Sequence, residues 1–181
     1  MRKGEKMAEA SRAGEWEVAV GGLSRSELKS ELAAQGIVLN PHAETLLDDA
    51  IFDEHGAAQA VVLAERTVAD LGLADGATLP EIYEAAQRLG LRLCSADTAP
   101  YLRLALSQQA AAPDSVMSSG RAPAGALTVA AEPLSDDIEY PKGFYLRVVD
   151  DQAWLRGYRC DDEHVWSPED RFVFRVPTPA A

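Results

Sequence analysis

Apolar positions recur at helical spacing through the first half of the chain, then alternate in the last third as they do along strands. Leu28 and Leu32 mark one helical face, opened by Ser24-Arg25-Ser26-Glu27. That is a capping box: Ser24 accepts from the amide three residues on, and Glu27 reaches back to the cap amide. Gly36 closes the helix, since it tolerates the left-handed C′ conformation. Asn40-Pro41 then restarts a helix whose buried stripe is Leu46, Leu47, Ala50 and Ile51. Two short helices on a tight joint suggest a DNA-binding helix-turn-helix, but the second one reads HAETLLDDAIFDEH, and an acidic face opposes groove entry.

Ala60-Val61-Val62-Leu63-Ala64 predicts a short buried strand, and Thr67-Val68-Ala69-Asp70 a capped turn ending at Gly72. Thr78-Leu79-Pro80-Glu81 is the strongest helix start in the chain, leading through Ile82, Tyr83, Ala86 and Leu89 to Gly90. Leu91-Arg92-Leu93-Cys94 reads as extended, after which Asp97 or Thr98 caps a helix carrying Tyr101, Leu102, Leu104 and Ala105. Residues 107–125 are small and polar, which predicts a mobile loop within a single domain spanning 23–176. Residues 1–22 read as a flexible leader without the apolar stretch of a secretory signal, and 177–181 as a frayed tail. Strands follow at 127–131, in a hairpin within 143–159, and at 171–176. The expected fold is α+β, an N-terminal helical half packed on a C-terminal antiparallel sheet with a prominent hairpin.

That hairpin, GFYLRVVDDQAWLRGYR, is the most informative stretch. With Asp150-Asp151 as a two-residue turn, Arg147 faces Trp154, Leu146 faces Leu155 and Tyr145 faces Arg156. Alternation then puts Phe144, Leu146, Val148, Ala153 and Leu155 on an apolar face, and Tyr145, Arg147, Trp154 and Arg156 on the other. The plainer reading makes these four residues cross-strand pairs that hold the hairpin. The functional reading makes them a cationic, aromatic platform in reach of solvent for a phosphate, a carboxylate or an unstacked base. Arg103, among apolar residues in APYLRL, is a further candidate, with a structural ion pair as its plainer role.

Charge narrows the partners. The 181 residues carry 29 acidic against 17 basic side chains, a formal net charge of −12. That field opposes a polyanion, so nucleic acid is disfavoured as a partner except at a local basic patch. Two cysteines, Cys94 and Cys160, are too few for a disulfide scaffold and predict reduced thiols in a cytoplasmic protein. No apolar run approaches the roughly 20 residues that span a bilayer. The three histidines, His42, His55 and His164, lack ligand spacing, and no phosphate loop, dinucleotide fingerprint or nucleophile elbow is present. Nothing in the chain calls for a metal or a cofactor.

Leu71-Gly72-Leu73 with Gly76-Ala77-Thr78, then LRLC, APYLRL, RAPAGALTVAAEPLS and GFYLR…WLRGYR…VWSPEDRF, resemble an uncharacterised family of small stand-alone bacterial proteins over residues 23–176. Some members carry a helicase label, which this chain does not support because it lacks nucleotide-binding motifs. The resemblance implies a bacterial cytosolic protein and carries over no catalytic residue. The expectation is a non-enzymatic binding or regulatory module that meets an anionic ligand or an acidic protein partner. The alternative is a small hydrolase or nuclease-like enzyme built from scattered His and acidic residues, and a third reading is self-association through a sheet edge.

Overall fold

Alternating side chains and capped helices assemble around one large sheet. The computed structural model describes residues 14–54, 56–106, 109 and 125–178. Within them, in chain order, come β1 (Glu15–Val20), α1 (Arg25–Ala34), β2 (Val38–Leu39), α2 (Pro41–Leu47), β3 (Gln59–Thr67), β4 (Ala77–Thr78), α3 (Leu79–Arg88), α4 (Thr98–Ala105), β5 (Leu127–Val129), β6 (Gly143–Val149), β7 (Gln152–Tyr158), β8 (Val165–Trp166) and β9 (Arg171–Val176). The helix starts follow the capping chemistry: both Ser24 and Thr78 close reciprocal boxes with Glu27 and Glu81. Asn40 accepts from the Ala43 amide at 2.9 Å.

Seven strands form one sheet in the order β1-β3-β9-β5-β6-β7-β2, and β4 pairs with β8 apart from it. The α+β class holds, but three expectations are corrected. The sheet is mixed, because β5 runs parallel to β9 and β2 parallel to β7. Helices and strands interleave rather than dividing the chain into halves, and β1 precedes every helix. The expected leader is shorter, since Glu15–Val20 forms an outer strand whose Val18 and Val20 are buried. The expected loop at 107–125 lies outside the described residues apart from Gln109 and Gly125, and of the tail Pro177 and Thr178 are described.

Helices cover both faces. On the first face, Leu28, Leu32, Leu46, Leu47 and Leu102 from α1, α2 and α4 meet Val18, Leu63, Val173, Leu127, Leu146 and Leu155. On the second, Leu79, Ile82, Ala85 and Ala86 of α3 meet Phe172, Phe174 and Trp166. Each fully buried Leu or Phe contributes about 1.5–3 kcal/mol relative to exposure.

The seat of α2 on β7 has a specific cause. Asn40 caps α2 and also receives the Gly157 amide at 2.8 Å while donating to the Gly157 carbonyl at 3.0 Å, so its carboxamide stands in for a strand beyond β2. A Cβ on Gly157 would lie 2.7 Å from the His42 carbonyl carbon and 2.9 Å from the Ala43 nitrogen. Both neighbours are backbone, which cannot swing aside. Gly157→Ala is therefore expected to lower stability by about 1–3 kcal/mol. Chemical denaturation would detect it as a reduced midpoint at unchanged slope.

The hairpin pairs in the expected register, with Arg147 opposite Trp154 and Tyr145 opposite Arg156. Its turn holds Asp150 at φ 47° and Asp151 at φ 64°, the primed geometry that matches strand twist. A left-handed conformation costs a non-glycine residue about 1–2 kcal/mol, whereas glycine loses about 0.5–1 kcal/mol of backbone entropy. The first effect wins, so Asp151→Gly is expected to stabilise the protein by roughly 0.5–1 kcal/mol, read as a rise in melting temperature.

Candidate functional site

The second sheet face continues past α3 onto the hairpin. Pairing aligns Arg66, Phe172, Thr128, Tyr145 and Arg156 in one row across five strands, from β3 to β7. Aromatic rings link the row to the core: Tyr145 to Tyr158 at 6.4 Å, Tyr158 to Trp166 at 5.6 Å, and Trp166 to Phe172 at 4.9 Å between centroids. The Tyr158 phenol is held well above its ordinary range, by burial first and then by Tyr83 beside it. It therefore stays protonated at neutral pH, with its hydroxyl bonded to Tyr83.

The five candidate residues divide. Trp154 and Arg156, adjacent on the same face of β7, form a stacked pair with the guanidinium carbon 4.1 Å from the ring centroid. Both are half-buried, as is Tyr145. Arg147 is 1% exposed, so the expected solvent-facing position is corrected for this residue. It pairs across the hairpin with the half-buried Trp154 but belongs to the packed interior.

Arg103 is elsewhere. It is 3% exposed on α4, donates to Gln109 Oε1 at 2.7 Å and to the Leu106 carbonyl at 2.6 Å, and burial lowers its pKa to about 10. Gln109 in turn donates to the Gly125 and Leu146 carbonyls, both at 2.9 Å. Through Gln109 the arginine thus ties the end of α4 to the Gly125 and β6 backbones, where the partial negative charge of a helix C-terminus suits a cation. Its contacts are neutral oxygens rather than the expected carboxylate, and it is not part of the hairpin constellation.

What sets Arg156 apart is the Trp154 ring it stacks on. Arg25, Arg66, Arg88, Arg159 and Arg171 each meet a carboxylate. Among the described residues Arg156 meets none, as is also true of Arg92, Arg103 and Arg175, and its Nε, like those of Arg103 and Arg147, is buried without a hydrogen bond. In a chain with 29 acidic side chains, this guanidinium is held on an indole with no carboxylate beside it among the described residues.

The other candidate chemistry disperses. His164 packs edge-on against Trp166 at 5.3 Å, His42 sits on α2 beside Gly157, and His55 lies outside the described residues. Among the described residues no three His, Cys, Asp or Glu side chains gather as a metal-ligand set. An open groove of about 680 Å³ beside α1 is lined by Arg25, Lys29, Ser26 and Phe52. Its two cations are engaged by Asp53 and Asp48 respectively. No described helix is long and apolar enough to cross a membrane. No family model, curated protein or solved structure matches the chain.

Both thiols are free. Burial pushes Cys94 up to about 12 and Cys160 up to about 11. Because the thiolate is the nucleophile, each should react with a disulfide reagent at pH 8 roughly two or more orders of magnitude more slowly than a free cysteine. The expected order is Cys160 before Cys94, with both released on denaturation. Fast labelling of the folded chain would contradict the burial seen for them.

Proposed function

We propose that this chain is a non-enzymatic binding or regulatory module that receives an anionic group, on a ligand or an acidic partner, at the hairpin face of Tyr145, Trp154 and Arg156. One observation carries the reading: Arg156 lies 4.1 Å over the Trp154 ring and meets no carboxylate among the described residues. Stacking fixes the plane of the guanidinium, so its N–H donors are pre-aligned and little side-chain entropy remains to be lost on binding. Tyr145 borders the pair through the Tyr145–Arg156 cross-strand position and adds a ring and a hydroxyl. Arg147, opposite Trp154 on the same face, is buried and takes no direct part in the contact surface.

The charge balance argues for a small or local anion. A net charge of −12 repels an extended polyanion, and its repulsion of a single phosphate or carboxylate is screened over about 8–10 Å. Two free thiols suit a reducing cytoplasm, in keeping with the resemblance to small bacterial proteins.

The test is a thermal-shift panel of nucleoside phosphates, sugar phosphates, dicarboxylates and acidic peptides on the wild-type chain, Arg156→Ala and Trp154→Ala. A ligand at about 100 times its dissociation constant adds about 2.7 kcal/mol, or roughly 5–10 °C for a chain of this size. The expected result is stabilisation of the wild type that Arg156→Ala abolishes and Trp154→Ala weakens. A shift that survives Arg156→Ala unchanged, or a panel without any shift, would count against the site.

A further inference from the structure

We infer that β1 is the docking edge for a second copy of this chain, the two strands pairing antiparallel about a twofold axis at Val18 and joining the two sheets into one. This surface is separate from the hairpin face, since β1 and β7 lie toward opposite ends of the seven-strand order.

The two sheet edges differ in how they are finished. At the β2 end the ladder is two residues long, Val38 and Leu39 on Trp154 and Leu155. Side chains take what lies on either side: Asn40 occupies both polar groups of Gly157, and Gln152 donates to the Gly36 carbonyl at 2.5 Å. That end offers no run of free backbone. At the other end β1 is six residues long and pairs along one side with β3. The Glu65 amide donates to the Gly14 carbonyl at 2.7 Å, which sets the phase of the ladder. Trp16, Val18 and Val20 therefore turn their amides and carbonyls toward β3, and Glu15, Glu17 and Ala19 turn theirs outward. Among the described residues no strand meets that outward row.

Edges of this length are ordinarily blunted by proline, lysine or a bulge. Glu-Trp-Glu-Val-Ala-Val contains neither residue, and its pairing with β3 is regular throughout. The charges present are Glu15, 3.8 Å from Arg66, and the exposed Glu17. Like charges directly opposite one another are destabilising, and that rule selects the register. A twofold at Glu17 sets Glu17 against its own copy, and one at Trp16 sets Glu15 against Glu17. A twofold at Val18 is the longest pairing that avoids both: Glu17 faces Ala19, Glu15 faces Gly21, and Trp16 faces Val20 of the second copy. The strand is thus its own complement, with carboxylates opposite small residues on one face and apolar residues together on the other.

Because the same edge serves both copies, the contact closes as a dimer, and the finished β2 end prevents growth into a filament. One strand-to-strand ladder is a small interface, so the dimer is weak and reversible.

Sedimentation velocity over a concentration series of the full chain is the first measurement. The expected result is a reversible monomer–dimer equilibrium in the wild type. Ala19→Pro removes an outward amide that β3 does not use, and should leave the chain monomeric at every concentration with its circular dichroism unchanged. A wild-type chain that stays monomeric throughout, or a folded Ala19→Pro variant that still dimerises, overturns the inference. Cross-linking keeps the test sharp if the proline variant misfolds. Glu17→Cys mixed with Ala19→Cys should give an oxidised dimer, because directly opposed hydrogen-bonded residues lie within disulfide reach, while each variant alone should give markedly less. Equal cross-linking in the separate variants, or none in the mixture, would reject the Val18 register.

Discussion

The placement of the hairpin depends on one contact, the approach of α2 to β7 at a residue without a side chain. Asn40 satisfies the α2 amide and both backbone groups of Gly157 with a single carboxamide, while the missing Cβ lets the His42 and Ala43 backbone come close. A buried backbone polar group left unpaired there would cost as much as a lost hydrogen bond, so the geometry is strongly held. With one face of β7 pinned under a helix, its alternate residues Trp154 and Arg156 have a single direction left to point.

That same pinning gives the candidate site its rigidity. Leu155 is buried between the two half-buried residues, and the Tyr145–Tyr158–Trp166–Phe172 series runs from the hairpin into the second core. A cation–π contact of about 0.5–1 kcal/mol at an exposed site does not by itself order a long side chain. Here the contact acts on strands already fixed by packing, so a modest energy is enough to hold the guanidinium plane. Described arginines thus differ in their surroundings: Arg25 pairs with a carboxylate, Arg103 is buried at a helix end, and Arg156 is stacked on a ring.

Local chemistry was legible wherever one residue's neighbours in sequence decide its conformation. The caps at Ser24, Asn40 and Thr78, the turn at Asp150-Asp151 and the hairpin register are all short-range. β1 carried a readable signal too, the alternation of Trp16, Val18 and Val20, which the charged residues before it obscured. The faces of the hairpin followed from period alone. Whether a face meets solvent did not, and Arg147, identical in pattern to its neighbours, turned out buried.

The amino-acid order by itself determined the helix starts, the strand alternation, the tight turn and the excess of negative charge, because these depend on contacts within a few residues or on none. Tertiary structure alone decided that β5 lies parallel to β9, that helices cover both sheet faces, and that Arg147 is buried while Arg156 is only half-buried. Strand neighbours distant in sequence are chosen by which apolar faces can be buried together, a property of the assembled core that no window of sequence contains.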